Sequence, residues 1–155
     1  MSRIAIPVSS QPLYATGDAK LWVEVVRAVR DGTGNFVNRL FRVDSGAEIT
    51  TFPAYDAMQL GLVVPARPAA VRHEQTGLEV RSGMLVFRID GMDQTLYAVS
   101  CLLLGDPSVR PSPNAPAASR PRNLLQPLAL LEKLNFSTAK NPGGPTYGEL
   151  IIEKK

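Results

Sequence analysis

The chain has one cysteine, one histidine and one tryptophan among its 155 residues. Cys101 alone cannot close an intrachain disulfide, and its apolar surroundings predict a buried thiol. With His73 as the lone histidine, a zinc site of Cys and His ligands is excluded, and no metal or cofactor is expected. The same scarcity argues against a serine hydrolase. Only His73 could serve as its base, and no Gly-x-Ser-x-Gly elbow occurs. His73 is instead read as a polar surface or loop residue. The net charge is only +3 with no dense Lys/Arg run, so nothing points to nucleic acid. No stretch approaches the roughly 20 apolar residues of a membrane span. Met1–Gln11 lacks a basic start followed by a long apolar run, so no signal peptide is expected. A reducing, cytoplasmic setting is the default expectation.

What remains is an ordinary globular composition, 45% hydrophobic and 20% charged. The length suits one domain, 1–155, with a substantial core. No internal repeat is found. The 13 prolines are unevenly placed, with five between Gly105 and Arg122. That segment, 105–122, cannot bury enough apolar surface to offset its ordering entropy and reads as a long exposed loop. Its arginines, Arg110, Arg120 and Arg122, read as solvated charges.

Residues 1–20 read as a mixed arm. Leu21–Ala28 reads as a strand, Asp31–Asn35 as a glycine-rich turn and Phe36–Val43 as the returning strand. Pro53 and Gly61 bracket a short helix at Ala54–Leu60. Leu62–Val71 carries two prolines, so any strand there lies at an edge. The polar stretch 72–77, flanked by apolar residues, predicts a projecting hairpin. A second hairpin runs from Met84 to Leu104 around Asp90-Gly91. Pro127 opens an expected helix whose Leu128, Leu131 and Leu134, with Leu130, face inward. Residues 137–146 read as a Gly/Pro connector and 147–153 as a closing strand. The fold class is therefore all-β, a barrel or sandwich with one short C-terminal helix.

The first hairpin delivers Asp44 at the end of its second strand, followed by Ser45-Gly46. By itself, Asp-Ser-Gly also reads as an ordinary turn. The longer run Val43-Asp44-Ser45-Gly46-Ala47, with Ile49-Thr50 behind it, resembles the active-site signature of retropepsin-like aspartic proteases. The resemblance spans roughly residues 21–136, in order: a hairpin, the Asp loop, a glycine-containing flap at Val71–Val80, a strand pair, and an apolar pair, Leu124-Leu125, before a helix. It implies a closed acid-protease half-barrel acting as a homodimer. It makes Asp44 the catalytic acid/base and Ser45 the hydroxyl that locks the loop against the partner. Gly46 and Ala47 complete the active-site loop. Glu48, His73, Gln75, Thr76, Gly77, Leu124 and Leu125 become substrate-binding candidates. Residues near the N-terminus and 147–153 become candidate dimer strands.

Hydrolysis by carboxylates needs one to activate water and one to donate a proton. This chain has one such motif, so two copies of Asp44 must meet across a two-fold axis. The expected partners are a second copy and an extended peptide. Three departures stand against the family pattern: Ser45 for the commoner threonine, Gln126 where glycine is usual, and one flap glycine instead of several. The proline-rich segment also replaces a short loop. The alternatives are a catalytically silent dimerisation or peptide-binding domain of the same type, and an unrelated small β-barrel in which Asp44 only makes a turn.

Overall fold

Tyr97-Ala98-Val99-Ser100-Cys101 alternates residue by residue, which turns one strand face inward. In the computed structural model, which describes residues 3–12, 19–116, 119–139 and 148–155 (backbone only at 11–12 and 19–21), Tyr97, Val99, Cys101 and Leu103 are buried while Ala98 and Ser100 face out. Outside the described residues lie 1–2 and 13–18 of the expected arm, 117–118 of the proline-rich segment, and 140–147 of the connector and closing strand.

The protein is mostly β. The strands are β1 (Arg3–Pro7), β2 (Ser9–Pro12), β3 (Ala19–Arg30), β4 (Phe36–Val43), β5 (Thr50–Pro53), β6 (Val80–Ile89), β7 (Tyr97–Leu104), β8 (Leu124–Leu125), β9 (Leu134–Ala139) and β10 (Glu149–Lys154). β3 and β4 pair antiparallel from Val23↔Val43 to Arg30↔Phe36. Asp31 closes their turn, its Oδ1 accepting from the N–H groups of Thr33 (2.8 Å) and Asn35 (3.0 Å). The larger sheet runs β2-β3-β4-β8-β5-β7-β6, and β6 pairs back onto β3 at Arg27↔Ile89. The six strands from β3 to β6 thus close on themselves, with β2 extending from the start of β3. The interior holds Val25, Val29, Phe41, Phe52, Leu85, Phe87 and Leu125, with the Phe41 and Phe52 rings stacked 5.7 Å apart.

A second sheet, β1-β10-β9, has the closing strand in its middle. The expected N-terminal arm therefore contains strands, and β1 pairs with β10 within the chain (Ile4↔Ile152). Ile4 and Ile6 pack on the core.

The expected helix over 127–134 is not formed. Pro127–Leu130 is a 3-10 turn, residues 131–133 turn again, and the chain leaves as β9 from Leu134. Leu130 and Leu134 are buried, but Leu128 (59%) and Leu131 (41%) are exposed, so the inward leucine stripe is broken. The i, i+4 pair imitates a helix face. Pairing of Leu134–Ala139 with β10 supplies cross-strand bonds that override the local preference. The α-helix among the described residues is α1 (Ala54–Gln59), preceded by Pro53 and followed by Gly61 at φ +73°. It is too short to cross a membrane, as is every described helix. Segment 62–71 contains no strand, its prolines prevailing.

One core residue breaks the apolar rule. Arg27 is fully buried, its guanidinium 3.5 Å from the Phe87 ring centre and 4.6 Å from that of Phe41. None of its three side-chain nitrogens has a hydrogen-bond partner among the described residues. Burial pushes its pKa down to about 9, against a smaller opposite effect of Cys101. Burial likewise pushes the Cys101 thiol up to about 12, against Arg27. Cation–π contacts return about 2 kcal/mol each when desolvated, less than the several kcal/mol lost on burying an ion. Arg27→Met should therefore stabilise the fold by about 1–4 kcal/mol, read as a higher Tm near pH 7. The pH matters to this measurement. A base with a lowered folded pKa gains stability as pH rises above 9, while an acid with a raised one loses it. The two slopes oppose each other in alkali, whereas at pH 7 Arg27 is charged and Cys101 neutral. A lower Tm for Arg27→Met would show that the aromatic contacts win.

Candidate active site

Asp44 follows the last residue of β4, and the loop 44–49 leads into β5. The two-residue strand β8 lies between those strands, parallel to β4 (Val43↔Leu125) and antiparallel to β5 (Thr51↔Leu124). Its backbone pins the entry to the loop. Arg42 N–H donates to Asn123 O and Asp44 N–H to Leu125 O, each at 2.9 Å. The Asn123 amide adds a bond to Leu40 O at 3.1 Å. Because β8 comes from some 80 residues downstream in the chain, the tertiary fold holds the loop in addition to its own turn bonds, Gly46 N–H to Asp44 Oδ1 and Ala47 N–H to Asp44 O.

The Asp44 carboxylate is half-buried, and its Oδ1 accepts from Gly46 N–H at 2.9 Å. A side chain at position 46 would place its Cβ 3.2 Å from that same oxygen. Gly46 does not adopt a positive φ, so what the glycine supplies is room beside the carboxylate and not an unusual backbone angle. Ser45 is exposed.

Gln126 is the main support of the loop. It is buried, and its Nε2 donates to the carbonyl of Ser45 at 3.2 Å and also to that of Ala47. Its Oε1 accepts from Leu128 N–H at 3.0 Å, capping the 3-10 turn, and its own N–H donates to Thr50 Oγ1 at 3.1 Å. Gln126, one of three departures from the pattern that the sequence resembles, thus ties the Ser45 and Ala47 carbonyls of the loop to the end of β8. Its identity alone gave no sign of this.

Above the loop lies the segment 69–80. Ala69 N–H donates to Val80 O (2.7 Å), His73 N–H to Leu78 O (2.8 Å) and Gly77 N–H to His73 O (2.7 Å). These bonds fold it back on itself without forming strands, and 74–76 make the tip. His73 Nδ1 and the Thr76 hydroxyl share a hydrogen bond of 2.8 Å. Gly77 sits at φ +69°, a left-handed angle that glycine takes readily. Arg81 anchors the base, donating to Pro65 O (2.9 Å), Glu79 (3.0 Å) and Gly105 O (3.2 Å).

Between loop and roof runs a groove in two adjoining parts, which share Thr51, His73, Gln75 and Leu124. The part at Asp44 measures about 300 Å³ and also includes Thr76, Leu104, Arg42, Arg120 and Arg122. The part at Gly46, Ala47, Glu48 and Ile49 measures about 160 Å³ and includes Glu74 and Leu102. The structure therefore brings Asp44, Gly46, Ala47, Glu48, His73, Gln75, Thr76 and Leu124 to one groove. Ser45 and Gly77 lie outside its lining. Leu125 does not line it either: its side chain is fully buried in the core, because alternation along β8 turns Leu124 and Leu125 to opposite faces. Thr51, Arg42 and Arg120 line the groove although the sequence marked none of them for it. The proline-rich segment, expected as solvated, supplies one wall, and Thr51 Oγ1 donates to Arg122 O at 2.7 Å.

No protein-family model, curated protein or solved structure matches this chain. Among the described residues no group of three or more His, Cys, Asp or Glu is placed to hold a metal ion.

Proposed function

We propose that the protein is a retropepsin-like aspartic endopeptidase acting as a homodimer. The observation that carries this reading is Asp44 itself. It is a half-buried carboxylate on a loop pinned by β8 and Gln126, and among the described residues the sole carboxylate lining the larger part of a roofed groove. A single carboxylate cannot supply both base and acid. A second copy of Asp44, from the partner subunit, completes the pair. Two carboxylates at close range share one proton, and the pair titrates as a unit. The ionised member takes a proton from water, whose oxygen attacks the peptide carbonyl carbon. The protonated member gives its proton to the carbonyl oxygen. Collapse of the tetrahedral adduct then breaks the C–N bond as the first carboxyl passes the proton taken from water to the nitrogen and the second recovers one from an adduct hydroxyl. Ser45, exposed beside Asp44, is available to the partner's loop. An extended peptide in the groove would bond through its main chain under the 72–79 roof, whose closure would exclude water.

Cleavage of an unstructured protein at acidic and near-neutral pH, with and without an aspartic-protease transition-state inhibitor, tests the reading. Inhibitor-sensitive cleavage is expected, with a rate per chain that falls on dilution through the dimer dissociation constant. A rate per chain that stays constant down to monomeric protein would contradict the shared site. A dimer that cleaves nothing would instead be a peptide-binding domain of the same type.

A further inference from the structure

The groove differs in charge from end to end. At Asp44 its wall carries Arg42 from β4 and Arg120 and Arg122 from the proline-rich segment, and Asp44 is the only acid there among the described residues. In the adjoining part the charged residues are Glu48 and Glu74.

Two of the arginines of the first part, Arg42 and Arg120, are not paired with acids among the described residues. Arg39 pairs with Asp56 and Arg81 with Glu79, but neither Arg42 nor Arg120 has an ion pair among the described residues. The Arg42 guanidinium lies 5.1 Å from the Trp22 ring centre. Stacking occupies the face of the guanidinium and leaves its N–H edge for an acceptor. Arg120 donates to Pro113 O at 3.4 Å, a long bond that takes one of its five N–H donors. Two forked cations therefore line the same partly enclosed cleft as Asp44, where a charge-assisted bond is stronger than at an open surface.

We infer that this part of the groove selects an acidic side chain, Asp or Glu, in the bound peptide, with Arg42 and Arg120 as the specificity-determining residues. The inference rests on the groove being a peptide site. It gives the proline-rich segment a purpose: it carries a cation to the wall of the cleft.

The test uses Asp44→Asn protein, so that binding is read without cleavage, and fluorescein-labelled ten-residue peptides. Glu, Gln or Lys is placed at each position in turn within an apolar background. At one or two positions Glu should bind about tenfold tighter than Gln. Lys should bind weakest there. The Glu advantage should shrink with added salt and be lost in Arg120→Gln or Arg42→Gln. Equal binding of Glu, Gln and Lys at every position, or no binding by any peptide, overturns the inference. So does an advantage that vanishes when the peptide's C-terminus is amidated, since terminal carboxylate capture would then explain it. The two readings separate cleanly. Cleavage by wild type without an acid preference overturns the inference alone. Acid-dependent binding without cleavage overturns the peptidase alone.

Discussion

Asp44→Asn is expected to lower peptide cleavage by at least about a thousandfold while leaving a folded dimer. The substitution is nearly isosteric. The amide oxygen can still accept the 2.9 Å bond from Gly46 N–H, so the loop retains its internal tie. What disappears is the proton exchange. An amide neither takes a proton from water nor holds one for the carbonyl oxygen. In the proposed dimer both subunits of the variant carry such an amide, so no mixed site survives. Tm should move by no more than about 2 °C, since a half-exposed polar change of this kind stays within about 0.5 kcal/mol. The check is a progress curve on an unstructured substrate beside a melting curve of the same sample. Cleavage within tenfold of wild type would remove Asp44 from the chemistry, and with it the proposed mechanism.

Gln126→Glu should cost about 2–4 kcal/mol of stability and reduce any cleavage by about ten- to a hundredfold. The exchange keeps the shape and the acceptor that caps Leu128 N–H, but it removes the amide donor shared by Ser45 O and Ala47 O. Both carbonyls would then face an oxygen. The introduced carboxyl, buried among acceptors, should have a raised folded pKa. A raised folded pKa gives stability that is present below the unfolded carboxyl value and lost as pH rises through the folded one. The deficit against wild type should therefore narrow on acidification, where the protonated carboxyl can donate. Melting curves at pH 4 and pH 7 decide it. An equal deficit at both would show that Gln126 acts by packing and not by its amide protons.

Those two residues mark how differently the parts of this site could be read from the chain. Asp44-Ser45-Gly46 stands out because an acid, a hydroxyl and a glycine are contiguous, and the strands before it announce themselves by alternation. The all-β class follows from the same short-range signals in Phe36–Val43 and Tyr97–Leu104. Gln126 carries no such signal. A lone glutamine before a proline looks like a surface residue until Thr50, Ser45 and Ala47 are brought around it. Arg120 behaves in the same way, an arginine in a proline-rich loop until Asp44 lies across the cleft.

The helix expected at 127–134 shows where local pattern misleads. Leu130 and Leu134 are both buried, as a helix face would have them, but pairing with β10 draws Leu134 into a strand. The N-terminal arm shows the reverse: a mixed sequence with weak preference becomes a strand because β10 offers it an edge.

From residue order alone come the β3–β4 hairpin, the hairpin of β6 and β7, their turns and the position of Asp44 at the end of β4, since each depends on neighbours a few residues apart. The closure of β6 onto β3, the threading of β8 beside the Asp44 loop and the arginine-lined groove were decided only by the tertiary fold. Those contacts join residues far apart in the chain. Their strength comes from hydrogen bonds and buried area that exist only once both partners have arrived.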